Sequence, residues 1–199
     1  MSTNRYNSVL LFGAPGVGKG TQGKILNSIP GFFNLACGEV FRSLQTDTEE
    51  GREAHAYISK GELVPDELTV RVWHAAVNQH IENQDFDPNN DLLVLDGIPR
   101  SVKQAEMLED SIKVVRIIFL YCSDDNLLVE RILGRSKKEN RTDDVDQSII
   151  LKRQQIYRDQ TKPVLNCYPE NLVSQIDAIG KPVEVLHNIL SAVLSSLPE

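Results

Sequence analysis

The ten residues GAPGVGKGTQ, at 13 to 22, follow the apolar run SVLLF and satisfy the spacing G-x-x-x-x-G-K. Gly13, Gly16 and Gly18 allow backbone N–H groups to turn inward on an anion, and a helix starting just after them adds its positive dipole end. Lys19 supplies a mobile positive charge for terminal phosphates. The chemistry is phosphate binding. Gly20 stands where most such cradles place a hydroxyl that ligates Mg²⁺, and Thr21 follows one position late. Magnesium is therefore expected to be held mainly through water. The cradle alone serves switches, motors and kinases alike.

Two further groups of residues fit a phosphate site. LLVLDGIPR, at 92 to 100, is an apolar run ending in Asp96 and followed by Gly97, Pro99 and Arg100. A carboxylate at the carboxyl end of a strand in an open α/β sheet faces the same crevice as the cradle, which makes Asp96 a candidate for the metal's water shell. From 131 onward come Arg131, Arg135, Arg141, Arg153 and Arg158, in a chain whose net charge is -7. Arg131 and Arg135 are four apart and share a helix face. Phosphoryl transfer between two polyanions needs charge around the equatorial oxygens and in-line placement more than it needs a base. Taken alone, the same arginines would also suit a solvated helix face, and Arg158 is read as structural.

The elements that must hold these residues alternate along the chain. Apolar runs at 8–12, 92–95, 114–121 and 172–177 predict strands, and segments at 18–29, 65–81, 101–112, 125–135, 146–160 and 181–197 predict helices. This βα alternation implies an α/β fold with a parallel sheet covered on both faces. The polar stretch 134–146 predicts a loop. At 199 residues, 41% hydrophobic and without a Pro/Gly-rich linker, the chain is expected to form a single domain.

Composition narrows the function classes. A net charge of -7 argues against nucleic acid, whose phosphates require basic faces. Cys37, Cys122 and Cys167 are scattered and odd in number, which suggests neither a disulfide framework nor a zinc cluster. No stretch approaches the roughly 20 apolar residues needed to span a bilayer. The expectation is a cytoplasmic monomer with no membrane partner. His55, His74, His80 and His187 lack ligand spacing and receive no role.

GAPGVGKGTQ together with LDGIPRSVKQA resembles the adenylate kinase family, whose members carry a proline in the cradle, G-T-Q after the lysine, and D-G-F-P-R before a glutamine. The pattern covers nearly the whole chain. It implies a P-loop three-layer sandwich with a core of 1–35, 65–134 and 145–199, a helical acceptor-binding excursion at 36–64 and a short lid at 134–144. It also implies transfer of the terminal phosphoryl group of MgATP to AMP.

The resemblance places Gly13, Pro15, Gly16, Val17, Gly18, Lys19, Gly20 and Thr21 on ATP, with Arg131, Arg135 and backbone near Lys181 and Val183. On the acceptor side it places Cys37, Arg42, Glu62, Leu63, Val64, Gly97, Ile98, Pro99, Arg100, Gln104, Arg141 and Arg153. Arg135, Arg141 and Arg153 would join Lys19 and Arg100 around the transferring group. Gln104 matches the glutamine used against adenine, since a side-chain amide both donates and accepts; relatives selective for UMP and CMP tend to carry asparagine. Cys37 departs from the family's threonine, so a UMP/CMP kinase stays open beside AMP, as does a nucleotide-binding switch or regulatory ATPase from another class. Asp144 and Arg153 are nine residues apart where the family usually has eight, which leaves Asp143 and Asp144 without an assigned register. Only SKKEN separates Arg135 from Arg141, so the lid has no room for a metal-binding subdomain and no structural zinc is expected.

Overall fold

The computed structural model describes residues 5–139 and 146–196. Among the described residues five strands form one sheet: β1 (Tyr6–Phe12), β2 (Phe32–Ala36), β3 (Leu92–Asp96), β4 (Ile112–Tyr121) and β5 (Val173–Asp177). All neighbours pair in parallel, in the order β2-β3-β1-β4-β5. The expected parallel α/β sheet is present, with one more strand than the apolar runs predict. FFNLA of β2 lies at an edge and buries only Phe33 and Leu35, so it lacks the continuous apolar run of a strand covered on both faces.

Among the described residues there are eight α-helices: α1 (Lys19–Leu26), α2 (Cys37–Ser43), α3 (Glu49–Ile58), α4 (Asp66–Glu82), α5 (Val102–Leu108), α6 (Asp125–Glu139), α7 (Gln147–Ile156) and α8 (Pro182–Leu194). Alternate residues of β1 feed two cores, Leu10 and Phe12 on one face and Val9 and Leu11 on the other. The first core is closed by α2, α4 and α5 through residues such as Phe41, Trp73 and Leu108. The second is closed by α1, α6 and α8 through Leu26, Leu128 and Ile189. Each such fully buried side chain contributes about 1.5–3 kcal/mol relative to exposure.

Three boundaries differ from the sequence reading. The segment predicted as a loop from 134 is helical to Glu139, because RSKKE contains no Gly or Pro and is made of good helix formers. The helix predicted over 101–112 stops at Leu108, and Ile112 already belongs to β4. The helix predicted over 146–160 is α-helical only to Ile156. It widens into a π turn at Tyr157–Thr161 and tightens into a 3₁₀ segment at Lys162–Cys167, where Pro163 has no N–H to offer the ladder. No helix among the described residues is long and apolar enough to cross a membrane.

Candidate active site

Register brings the chemistry together. Leu11 pairs with Asp96, and Asp96 pairs with Ala36. The turns leaving β1, β3 and β2 therefore start from one row, carrying the cradle, Arg100 and Cys37 respectively. This is where the chain order reverses around β1, the usual ligand position in such sheets.

The cradle has the predicted backbone. Gly13, Gly16 and Gly18 have φ of +147°, +85° and +107°. At Gly16 a side chain is barred twice, since a Cβ there would also sit 2.5 Å from the Leu128 carbonyl oxygen of α6. Lys19 folds back over the loop, and its Nζ donates to the Gly13 carbonyl at 2.6 Å and the Ala14 carbonyl at 3.1 Å. An ammonium has three donors, so one remains. Burial lowers the Lys19 pKa to about 8; Asp96 opposes the shift, and the guanidinium groups of Arg100, Arg135 and Arg153 add to it. The charges of one carboxylate and three guanidinium groups thus converge on the Lys19 amine, in a protein that is acidic overall.

A cavity of about 660 Å³ opens at this centre. Gly13 and every residue from Pro15 to Thr21 line it, as do Arg131, Arg135 and Arg153. So do Cys37, Arg42, Glu62, Leu63 and Val64, and beyond them Asp96, Gly97, Pro99, Arg100 and Gln104. Three sequence candidates do not. Ile98 is core, 2% exposed. Val183 is 64% exposed, and the Lys181 backbone N–H donates to Glu184 at 2.8 Å; their neighbours Gly180, Pro182 and Val185 line the cavity instead. Arg141, with Asp143 and Asp144, lies outside the described residues.

Arg100 is anchored at three points. Its backbone N–H donates to Gln104 Oε1 at 2.7 Å, its Nε–H donates to the Gly97 carbonyl at 2.8 Å, and its own carbonyl accepts from Thr161 Oγ1 at 3.0 Å. Its terminal N–H groups have no hydrogen-bond partner among the described residues. Arg131 gives both terminal nitrogens to the Ala178 carbonyl, each at 3.1 Å. Cys37 is buried, and burial drives its thiol up to about 12, against the fields of Arg100 and Arg42. It is a neutral, small wall of the cavity.

Gln154 and Thr161 carry no local sequence signal, and with Gln22 of the cradle motif they tie the elements around the cavity together. Gln154 donates from Nε2 to the Pro15 carbonyl at 3.1 Å, which ties α7 and its Arg153 to the cradle. Thr161, in the π turn, holds Arg100 across 61 residues of sequence. Gln22 is 3% exposed and donates to the Pro182 carbonyl at 3.0 Å, joining α1 to the start of α8. On the outer rim Lys152 pairs with Glu62 at 2.6 Å, linking α7 to the segment after α3; both side chains are well exposed, so the pair adds little stability.

The family model described as adenylate kinase matches residues 11–173. An adenylate kinase of Flavobacterium johnsoniae is 34% identical over 196 residues, covering 96% of this chain and 99% of the relative. An adenylate kinase of Flavobacterium psychrophilum is 33% identical over 197 residues, covering 96% and 99%. An adenylate kinase of Rhodococcus erythropolis is 37% identical over 190 residues, covering 93% and 98%. The match spans the cradle, the Asp96 strand, the arginines of α6 and α7 and the sheet that aligns them, and on that ground this chain belongs to the adenylate kinase family.

Proposed function

We propose that the protein catalyses reversible transfer of the terminal phosphoryl group from MgATP to AMP, giving two ADP. The observation that carries the reading is a single cavity bordered both by the cradle with Lys19 and by Arg42, Arg100 and Gln104. A switch or a simple ATPase needs only the first half.

In this reading the cradle N–H groups and the remaining Lys19 donor hold the β- and γ-phosphates. Arg131, braced on Ala178, flanks the donor, with backbone near Lys181 and Val183 at its adenine. Arg42 and Arg100 clamp the AMP phosphate in a planar, bidentate manner, which an arginine does better than a lysine. Cys37, Glu62, Leu63, Val64, Gly97 and Pro99 shape the acceptor pocket, with Ile98 packed in the core beneath them, and Gln104 reads the base. Arg135, Arg141 and Arg153 spread charge over the equatorial oxygens. The acceptor phosphate is largely ionised at neutral pH, with a second pKa of about 6, so no general base is required.

Magnesium fits the donor set of this chain. A Cβ on Gly20 would lie 3.6 Å from Asp96 Oδ2, so the carboxylate faces the start of α1 at the position where Gly20 offers no hydroxyl. One carboxylate, waters and phosphate oxygens make the hard, mostly hydrated shell that Mg²⁺ prefers. Bound with ATP, the ion would supply charge neutralisation for the phosphates, and Asp96 would hold it through water. No structural zinc belongs to this proposal. The excursion at 36–64 would close over AMP, within a single-domain monomer acting in the cytoplasm on nucleotides alone; the short lid at 134–144 lies in part, at 140–144, outside the described residues.

The test is a panel of monophosphates, each with MgATP, read by ADP formation. AMP is expected to be turned over fastest. Faster turnover of UMP or CMP would overturn the base assignment, and ATP hydrolysis independent of acceptor would overturn the transferase reading. A second expectation concerns Gly97, which has φ of +85° and whose added Cβ would lie 2.7 Å from Arg100 Nη2. Gly97→Ala displaces the guanidinium and is expected to raise KM for AMP about tenfold while KM for ATP stays near its wild-type value, since about 1.4 kcal/mol of lost binding is a factor of ten.

A further inference from the structure

Gln104 lines the cavity although it is only 1% exposed, and its amide is held from two sides. The Arg100 backbone N–H can only donate, and it is 2.7 Å from Gln104 Oε1. The Asp66 carboxylate can only accept, and its Oδ1 is 2.8 Å from Gln104 Nε2. The same Asp66 oxygen accepts from Ser101 Oγ at 2.8 Å, and Ser101 Oγ accepts the Gln104 backbone N–H at 3.0 Å. Every proton in this ring has one available position. Flipping the amide would set N–H against N–H at Arg100 and carbonyl oxygen against carboxylate at Asp66, losing two hydrogen bonds for two repulsive contacts.

We propose that Asp66 is a specificity-determining positioning residue, which locks the Gln104 amide so that its second N–H and second lone pair meet the acceptor base in one fixed order. The proposal rests on the AMP reading above. An adenine edge presents an acceptor at N1 and a donor at the 6-amino group. A 6-oxopurine inverts both, with N1–H donating and O6 accepting. A freely turning amide would satisfy either edge; a locked one satisfies one and leaves the other with unpaired buried groups, which is how a polar site rejects a near-isostere. The lock also spans two elements. Asp66 opens α4, which follows the acceptor excursion, while Ser101 and Gln104 open α5.

The experiment compares kcat/KM for IMP with that for AMP, which differ only in the 6-substituent and the N1 proton that accompanies it, at saturating MgATP. Asp66→Ala removes the acceptor and is expected to raise the IMP to AMP ratio at least tenfold. Asp66→Asn keeps an oxygen that can accept both bonds and is expected to retain the wild-type ratio. Ser101→Ala loosens the seat of the carboxylate and is expected to move the ratio in the same direction by a smaller factor. The ratio does not depend on how much of a variant folds, and a purely structural role would lower both substrates together. An unchanged ratio in Asp66→Ala, or a relaxation in Asp66→Asn equal to that in Asp66→Ala, overturns the proposal. Wild-type protein that fails to phosphorylate AMP would instead overturn the acceptor assignment beneath it.

Discussion

Lys19→Met is expected to reduce phosphoryl transfer on the order of 10³-fold or more while leaving the free protein as stable as wild type or more so. The loss follows from removing the one side-chain cation of the cradle. Stability responds differently because that cation is costly in the free protein: burial lowers its pKa from 10.5 to about 8, with Arg100, Arg135 and Arg153 adding to the penalty. A depression of that size corresponds to a native-state penalty on the order of 3 kcal/mol at neutral pH. Against it stand the bonds from Nζ to the Gly13 and Ala14 carbonyls, which face an open cavity where water can replace them. The sign of the pH dependence is fixed. The folded state prefers the neutral amine, so the penalty is full below about pH 8 and fades as pH rises toward 10.5. Melting temperatures of the variant and wild type should therefore converge over that interval, and a variant that melts well below wild type at pH 7 would contradict the assignment. In the same window the wild-type KM for ATP should rise with pH, because the phosphates must recruit a proton to a lysine that has begun to lose it.

How much of this site is legible in the sequence depends on how local its parts are. The cradle is legible because its glycines, its lysine and its helix start are contiguous, and each has a physical reason to be where it is. Asp96 is legible from its strand, because a strand's carboxyl end points at the crevice wherever the sheet is parallel. The β2 strand escapes because an edge strand buries one face and has no continuous apolar run. Gln154 and Thr161 escape for a stronger reason: their partners, Pro15 and Arg100, lie 139 and 61 residues away, and nothing in either local pattern refers to the other. The Asp66 lock lies between these cases. Asp66 and Gln104 both belong to visible stretches, yet their contact exists only once α4 and α5 pack together.

That distinction sets the second large effect, at Arg153. Arg153→Ala should lower kcat by about 10³- to 10⁵-fold, the range an arginine supplies to a phosphoryl-transfer transition state. Arg153→Lys should recover only part of that, since a point charge on a flexible stem does not reproduce a planar fork. The fold should survive both, because α7 is seated by the buried Ile150 and by Gln154 on the Pro15 carbonyl. Those same contacts make Gln154 the informative control. Gln154→Ala leaves the Arg153 charge intact but frees α7 from the cradle. If Arg153 works by placement as well as charge, this variant should lose kcat by about ten- to a hundredfold with KM for AMP little changed, since misplacement of catalytic groups by about an ångström costs on that order. Steady-state kinetics of the three variants separate charge from position. An Arg153→Ala enzyme with near-normal kcat would remove that side chain from the transition state. A silent Gln154→Ala beside an impaired Arg153→Ala would mean that charge alone, delivered from a loosely held helix, is enough.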